Sequence, residues 1–281
     1  MNHVASRSEL RMRVLTAAAL IITVVAALYW LPTLAVAALL GVFALGGAWE
    51  WSTLAGCRRM LHRQIYLALT LILMLGFYVV LDRSWAQLGL WGLALAWWMV
   101  SAVLVLRYQL REKAPGGDRM WRLAAGWLMV VPAWAALVVL HYSHGAGGVL
   151  ALLLLVWVAD IAAYLFGSRF GRRRLASRVS QGKSWEGLLA ALAAASLVAV
   201  STAVWVGIRP EQRMLYVVLA ATVVAVSVLG DLTESLFKRV AGVKDSGSVL
   251  PGHGGVLDRI DSLTAAAPAF VFGLHWLEGS A

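Results

Sequence analysis

Apolar residues in this chain come in runs of about 20, the length an α-helix needs to cross roughly 30 Å of hydrocarbon at about 1.5 Å per residue. Such windows fall at 14–31, 33–49, 64–81, 87–107, 121–141, 148–167, 186–207, 213–231 and 257–277, and predict about nine transmembrane helices. The expected fold class is therefore all-α, a polytopic integral membrane helix bundle. Between the first two windows stands only Trp30-Leu31-Pro32-Thr33, which reads either as a tight hairpin or as a kink that lowers the count to eight. The chain is 61% hydrophobic and 14% charged, far from the balance of a soluble domain. No stretch outside the apolar runs can bury a core of its own. One membrane domain over 1–281 is expected, with N-terminal helices at 14–141 and C-terminal helices at 148–277.

Arg7, Arg11 and Arg13 precede an apolar run from Val14 that continues for roughly 18 residues without a cleavage site, the pattern of a retained signal anchor. With the N-terminus inside and nine spans, 21 of the 24 Lys and Arg residues fall on one side; Arg83, Arg209 and Arg213 fall on the other. The positive-inside rule makes the crowded side cytoplasmic, and the cell inner membrane the expected location. The net charge of +10 is thus a matter of topology. It is not interleaved with stacking aromatics, and nucleic acid is not expected as a partner. The lone Cys57 excludes an intrachain disulfide and a cysteine metal site. Trp49, Trp51, Trp85, Trp121 and Trp276, near predicted helix ends, read as interfacial anchors. His62, His141, His144 and His275 read as interfacial too.

Chemistry concentrates after the eighth run, in GDLTESLFKRVAGVKDSGSVLPGHGGVLDRIDS from Gly230 to Ser262. Asp231, Glu234, Ser235 and Lys238 are spaced i, i+3, i+4, i+7 and share one face if the helix continues. Asp258, Asp261 and Ser262 repeat i, i+3, i+4 at the start of the ninth helix. The strictly apolar part of that helix, Leu263 to Leu277, is only 15 residues, so the span begins within 257–262 and its aspartates lie at or below the membrane surface. A carboxylate there costs about 2.5–3.5 kcal/mol unless paired or wet, which favours function over a structural ion-pair network with Lys238 and Arg239. Hard oxygen donors without cysteine point to Mg2+, and Mg2+ to phosphate chemistry. The intervening glycines, Gly254 and Gly255 among them, let backbone approach a ligand.

A second polar constellation, Gly167 to Arg174 followed by Ser180-Gln181-Gly182-Lys183-Ser184-Trp185-Glu186-Gly187, offers cations for an anionic headgroup or a triphosphate. It lacks the upstream strand and first glycine of an ATP-binding phosphate loop. Asp160, within the sixth run, has Tyr164 one turn later on the same face, so a buried acid with a hydrogen-bond partner is expected to line the bundle interior.

The stretch SLFKRVAGVKDSGSVLPGHGGVLDRID, Ser235 to Asp261, resembles the signature of the phosphatidate cytidylyltransferases (CDP-diglyceride synthases). So do Asp160-Ile161-Ala162-Ala163-Tyr164, Lys183-Ser184-Trp185-Glu186-Gly187 and Gly230-Asp231-Leu232. The likeness covers the C-terminal half; the first 140 residues match in hydropathy alone. It implies reaction of CTP with phosphatidate to give CDP-diacylglycerol and pyrophosphate, with a magnesium and potassium pair near Asp231 and Asp258. The family pattern has Ser-Pro before Lys-Thr-Trp-Glu-Gly, whereas this chain has Ser180-Gln181 and Ser184.

From these readings Asp231, Asp258, Lys238 and Arg259 are the expected catalytic residues, and Asp231, Asp258 and Asp261 the expected metal ligands. Expected substrate contacts are Lys183, Ser184, Trp185, Glu186, Ser235, Arg239, Lys244, Asp245, His253, Gly254, Gly255, Asp160 and Tyr164. CTP, phosphatidate and membrane lipid are the expected partners, with a second copy of the chain as a further candidate. A CTP-dependent polyprenol kinase is the nearest rival, and a non-enzymatic transporter or scaffold the alternative from another class.

Overall fold

The computed structural model describes residues 22–111, 118–247 and 254–279. Arg7, Arg11, Arg13 and the expected substrate contact His253 lie outside them. The described chain is almost wholly helical: α1 at 22–30, α2 Thr33–Leu54, α3 Met60–Val79, α4 Ser84–Arg111, α5 Arg119–Phe170, α6 Trp185–Thr202, α7 Arg213–Val240 and α8 Leu257–Gly279. Seven of these are long and apolar enough to cross a bilayer.

At 52 residues, α5 would reach about 78 Å if straight, more than twice a hydrocarbon core. It is broken at Gly145, whose φ of 61° and ψ of −160° no side-chain-bearing residue adopts without strain. The two legs run antiparallel. Trp121 on the first stacks on Phe237 near the end of α7, and His144, just before the break, meets Glu278 at the end of α8. The second leg returns, so that Gly167 lies beside Ser184 at the start of α6. These legs are the fifth and sixth spans expected from hydropathy.

The Trp30–Thr33 stretch is a true helix break, with Pro32 in extended geometry ahead of α2. His141 joins its two sides: Nδ1 bonds Thr33 Oγ1 at 3.1 Å and Nε2 bonds Leu28 O at 3.0 Å. This buried histidine is not the interfacial residue expected; its two ring nitrogens serve the turn. Trp51 also departs from the anchoring role. It is fully buried, donates to Arg122 O at 2.7 Å and packs on Phe237. Trp85 and Trp276 are exposed near helix ends, as expected of anchors.

The core lies along α2, both legs of α5, α7 and α8, around Trp51, Tyr216, Phe237 and Phe270. By contrast α3 presents Ile65, Leu69, Ile72 and Leu75 outward, as a lipid-facing helix does. Two findings depart from an all-helical reading. Arg174–Ala176 (β1) and Ser180–Ser184 (β2) pair as a short antiparallel hairpin between α5 and α6. In addition α6 stops at Thr202, where that side chain bonds Val198 O and meets Tyr216 Oη, and the chain turns back through Gly207 at φ 77°.

Candidate active site

Four segments converge at one end of the bundle: the second leg of α5, the β-hairpin, the end of α7 and the start of α8. The helix period puts Asp231, Glu234, Ser235 and Lys238 on one stripe, and α7 does continue through them to Val240. Close approach of α7 and α8 depends on Gly230. A Cβ there would stand 2.6 Å from the carbonyl oxygen of Asp261, so any larger residue would force the helices apart just where both carry acids.

Each acid has a distinct partner set. Asp231 receives the Lys183 ammonium at 2.6 Å and the Ser235 hydroxyl at 3.2 Å. Asp258 receives Lys238 Nζ at 2.7 Å, Gly255 N–H at 2.8 Å and Ser246 N–H at 3.1 Å. Asp261 accepts the N–H of Ser262 at 2.7 Å. Asp160 stands among these groups, hydrogen-bonded to Ser262 and within the fields of Lys183 and Asp231. Its carboxylate is accessible and its partner is Ser262, which corrects the expectation of a buried acid bonded to Tyr164.

Glu234 was singled out only as part of the α7 stripe, yet it is the most deeply placed of the group. It is 0% exposed, and neither carboxylate oxygen has a hydrogen-bond donor. Lys238 Nζ lies 3.3 Å from Oε2 as an ion pair outside hydrogen-bonding geometry. The side chain abuts that of Asp261. Five carboxylates, Asp160, Asp231, Glu234, Asp258 and Asp261, therefore share this end with Lys183 and Lys238, an acid excess of three in a partly desolvated place. Buried carboxylate oxygens without donors, in excess over the ammoniums beside them, are the conditions under which a hard cation binds. Among the described residues no three Asp, Glu, His or Cys side chains already converge in ligating geometry. Mg2+ needs only one or two carboxylates where phosphate oxygens supply the rest.

The other expected contacts divide. Lys183 points into the site. Ser184 does not: it is buried, and its hydroxyl caps α6 by accepting the N–H of Gly187 at 3.2 Å. Serine in place of the family threonine keeps that cap. Glu186 reaches back to the N–H of Arg173 at 3.3 Å, and with Arg169, Phe170, Gly171 and Arg172 lines a shallow depression beside the hairpin. Trp185, Arg239, Lys244, Asp245 and Arg259 are exposed, forming a mostly basic rim; Arg239 also donates to Val179 O. Ser235 serves Asp231, while Gly254 and Gly255 sit against Asp258. Tyr164 corrects the expectation that it lines the interior with Asp160. It is 73% exposed among Ile161, Leu165 and Phe166, because the 40° offset of residues four apart carries it off the packed face onto the lipid side.

Sequence reasoning missed Glu50. This α2 residue is 2% exposed and bonded to the entry of α8, and its one signal was an acid directly after the apolar window 33–49.

The sequence pattern of the cytidylyltransferase family matches residues 11–277. The chain is 44% identical over 271 residues to the phosphatidate cytidylyltransferase of Pseudomonas aeruginosa, covering 96% of this chain and 98% of that one. It is 40% identical over 283 residues to the protein of the same name from Haemophilus influenzae, covering 94% and 98%. An integral membrane helix bundle with an acid-rich site at one end, matched from α1 to α8, this chain belongs to the cytidylyltransferase family.

Proposed function

We propose that this chain is a CTP:phosphatidate cytidylyltransferase. A phosphate oxygen of phosphatidate attacks the α-phosphorus of CTP, the new P–O bond forms as the bond to the β-phosphate bridge breaks, and pyrophosphate leaves with the electron pair. The products are CDP-diacylglycerol and pyrophosphate. One observation carries the reading: five carboxylates and two lysines share the end of the bundle where the two lipid-inserted helices α7 and α8 meet. Full-length likeness to two relatives of that name supports it.

Acids alone would repel a triphosphate, so the donor set fits a divalent cation, Mg2+; K+ as a second ion is what the family resemblance implies. Asp231, Asp258 and Asp261 would hold it, and Glu234 stands behind them. Once bound, the cation neutralises phosphate charge and orients the α-phosphorus. The chain's own residues do the rest. Lys183 and Lys238 hold their ammoniums at the mouth of the site, where they can spread the charge of the triphosphate and the leaving pyrophosphate. The rim of Arg239, Lys244 and Arg259 draws the anion in, and the Arg169 to Arg174 band suits the lipid phosphate. Phosphatidate is already ionised near neutral pH, so its oxygen needs little help from a general base; positioning and electrostatics supply the rate.

The sidedness of the basic residues supports a site facing the cytoplasm in the cell inner membrane, with the N-terminus inside. Purified protein in phosphatidate vesicles, given CTP with Mg2+, tests the reaction. Label in the cytosine should pass to lipid, and label in the γ-phosphate should leave as pyrophosphate. A γ-label that enters lipid would make the chain a CTP-dependent lipid kinase. No release of either kind would return it to the transporter or scaffold class.

A further inference from the structure

Glu50 lies near the end of α2, in the half of the chain that carries none of the resemblance motifs, and is all but inaccessible. Its carboxylate collects three donors from one distant segment. Ser246 Oγ donates at 2.9 Å, Val256 N–H at 3.0 Å and Leu257 N–H at 2.8 Å. The last two are the first free amides of α8, where the helix dipole favours a negative group. Asp258 grips the same places from the other side: Ser246 gives it an N–H, as does Gly255. Ser246 is thus shared, its hydroxyl bound to Glu50 and its amide to Asp258. Gly247 and Gly255 both face the Glu50 carboxylate so closely that a Cβ on either would collide with it.

We infer that Glu50 is a positioning residue for the transfer reaction, fixing Ser246 and the first turn of α8 so that Asp258 is presented to the triphosphate. The inference rests on the cytidylyltransferase reading for its chemistry and on the bonding around Glu50 for its geometry. A packing role alone would be satisfied by any side chain of this size. A positioning role requires two acceptor oxygens.

Glu50→Gln separates the two, since it keeps the shape and turns one acceptor into a donor aimed at N–H groups. In full-length protein in vesicles, kcat should fall roughly 10- to 100-fold, with the KM for CTP moving less than about threefold. Amide hydrogen exchange at Val256 and Leu257 should quicken at least about tenfold. Thr70→Val is the comparator. That buried hydroxyl bonds Tyr66 O and accepts from Trp127 in α5, none of them residues assigned to the site, so its loss should lower the melting temperature and leave kcat per folded molecule intact. Wild-type kcat in Glu50→Gln, or unchanged exchange at Val256 and Leu257, overturns the inference. If Glu50→Gln fails to insert, Glu50→Asp takes its place with the same readouts. Should the wild-type protein release no pyrophosphate, the transfer reading fails by itself, and exchange alone then decides whether Glu50 holds the entry of α8.

Discussion

Asp258 has the densest set of partners among the five acids of the site: one ammonium and two backbone amides, all on a side chain 13% exposed. Asp258→Asn would leave one oxygen to serve three donors and set an NH2 against one of them. Turnover should drop about 10²–10³-fold, as when a preorganised charge contact is removed, while the protein still inserts and Lys238 keeps Glu234. Wild-type turnover would take Asp258 out of the reacting site. Residues like this were legible because a helix repeats on itself: Asp231, Glu234, Ser235 and Lys238 sit i, i+3, i+4, i+7, and nothing beyond the 3.6-residue period is needed to align them. Glu50 was not legible, since its partners lie 206 and 207 positions away and no local pattern points to them. Trp51 and His141 misled for a related reason. Near a helix end their types suit the interface, and only a neighbouring helix turns them inward. Tyr164 failed through angle: four residues along a helix overshoot a full turn by about 40°, and that offset carried it out of the bundle.

Helices were the easiest elements to foresee, because a run of about 20 apolar residues has no other stable form in lipid. Their ends were harder. The β-hairpin and the early stop of α6 lie where the chain leaves the membrane and local hydrogen bonding, not hydropathy, decides the outcome. Ser184 shows what the hairpin is for: β2 delivers Lys183 toward Asp231 and, one residue later, the cap of α6. Ser184→Ala should destabilise the protein by about 1 kcal/mol, the usual loss for an N-cap hydroxyl, and Ser184→Thr should be close to neutral. Thermal unfolding in detergent checks both. Equal loss from alanine and threonine would mean that the pocket around Ser184, rather than its hydroxyl, matters.

At the scale of the molecule, alternate crossings gather the site-end loops on one face and leave Arg83, Arg209 and Arg213 on the other. With the buried Cys57 replaced by serine, cysteines at Arg172→Cys and Arg209→Cys should report opposite sides to an impermeant maleimide added outside right-side-out vesicles. Arg209→Cys should label and Arg172→Cys should not; the reverse pattern would turn the active site away from the cytosol. The tie between Glu50 and α8 has a consequence for biogenesis. At ribosomal speeds of about 5–20 residues per second, its two amide partners are polymerised roughly 10–40 s after Glu50 itself. During that interval the newborn carboxylate must wait at the water boundary or borrow a temporary donor, and the nascent bundle closes only when the last helix arrives.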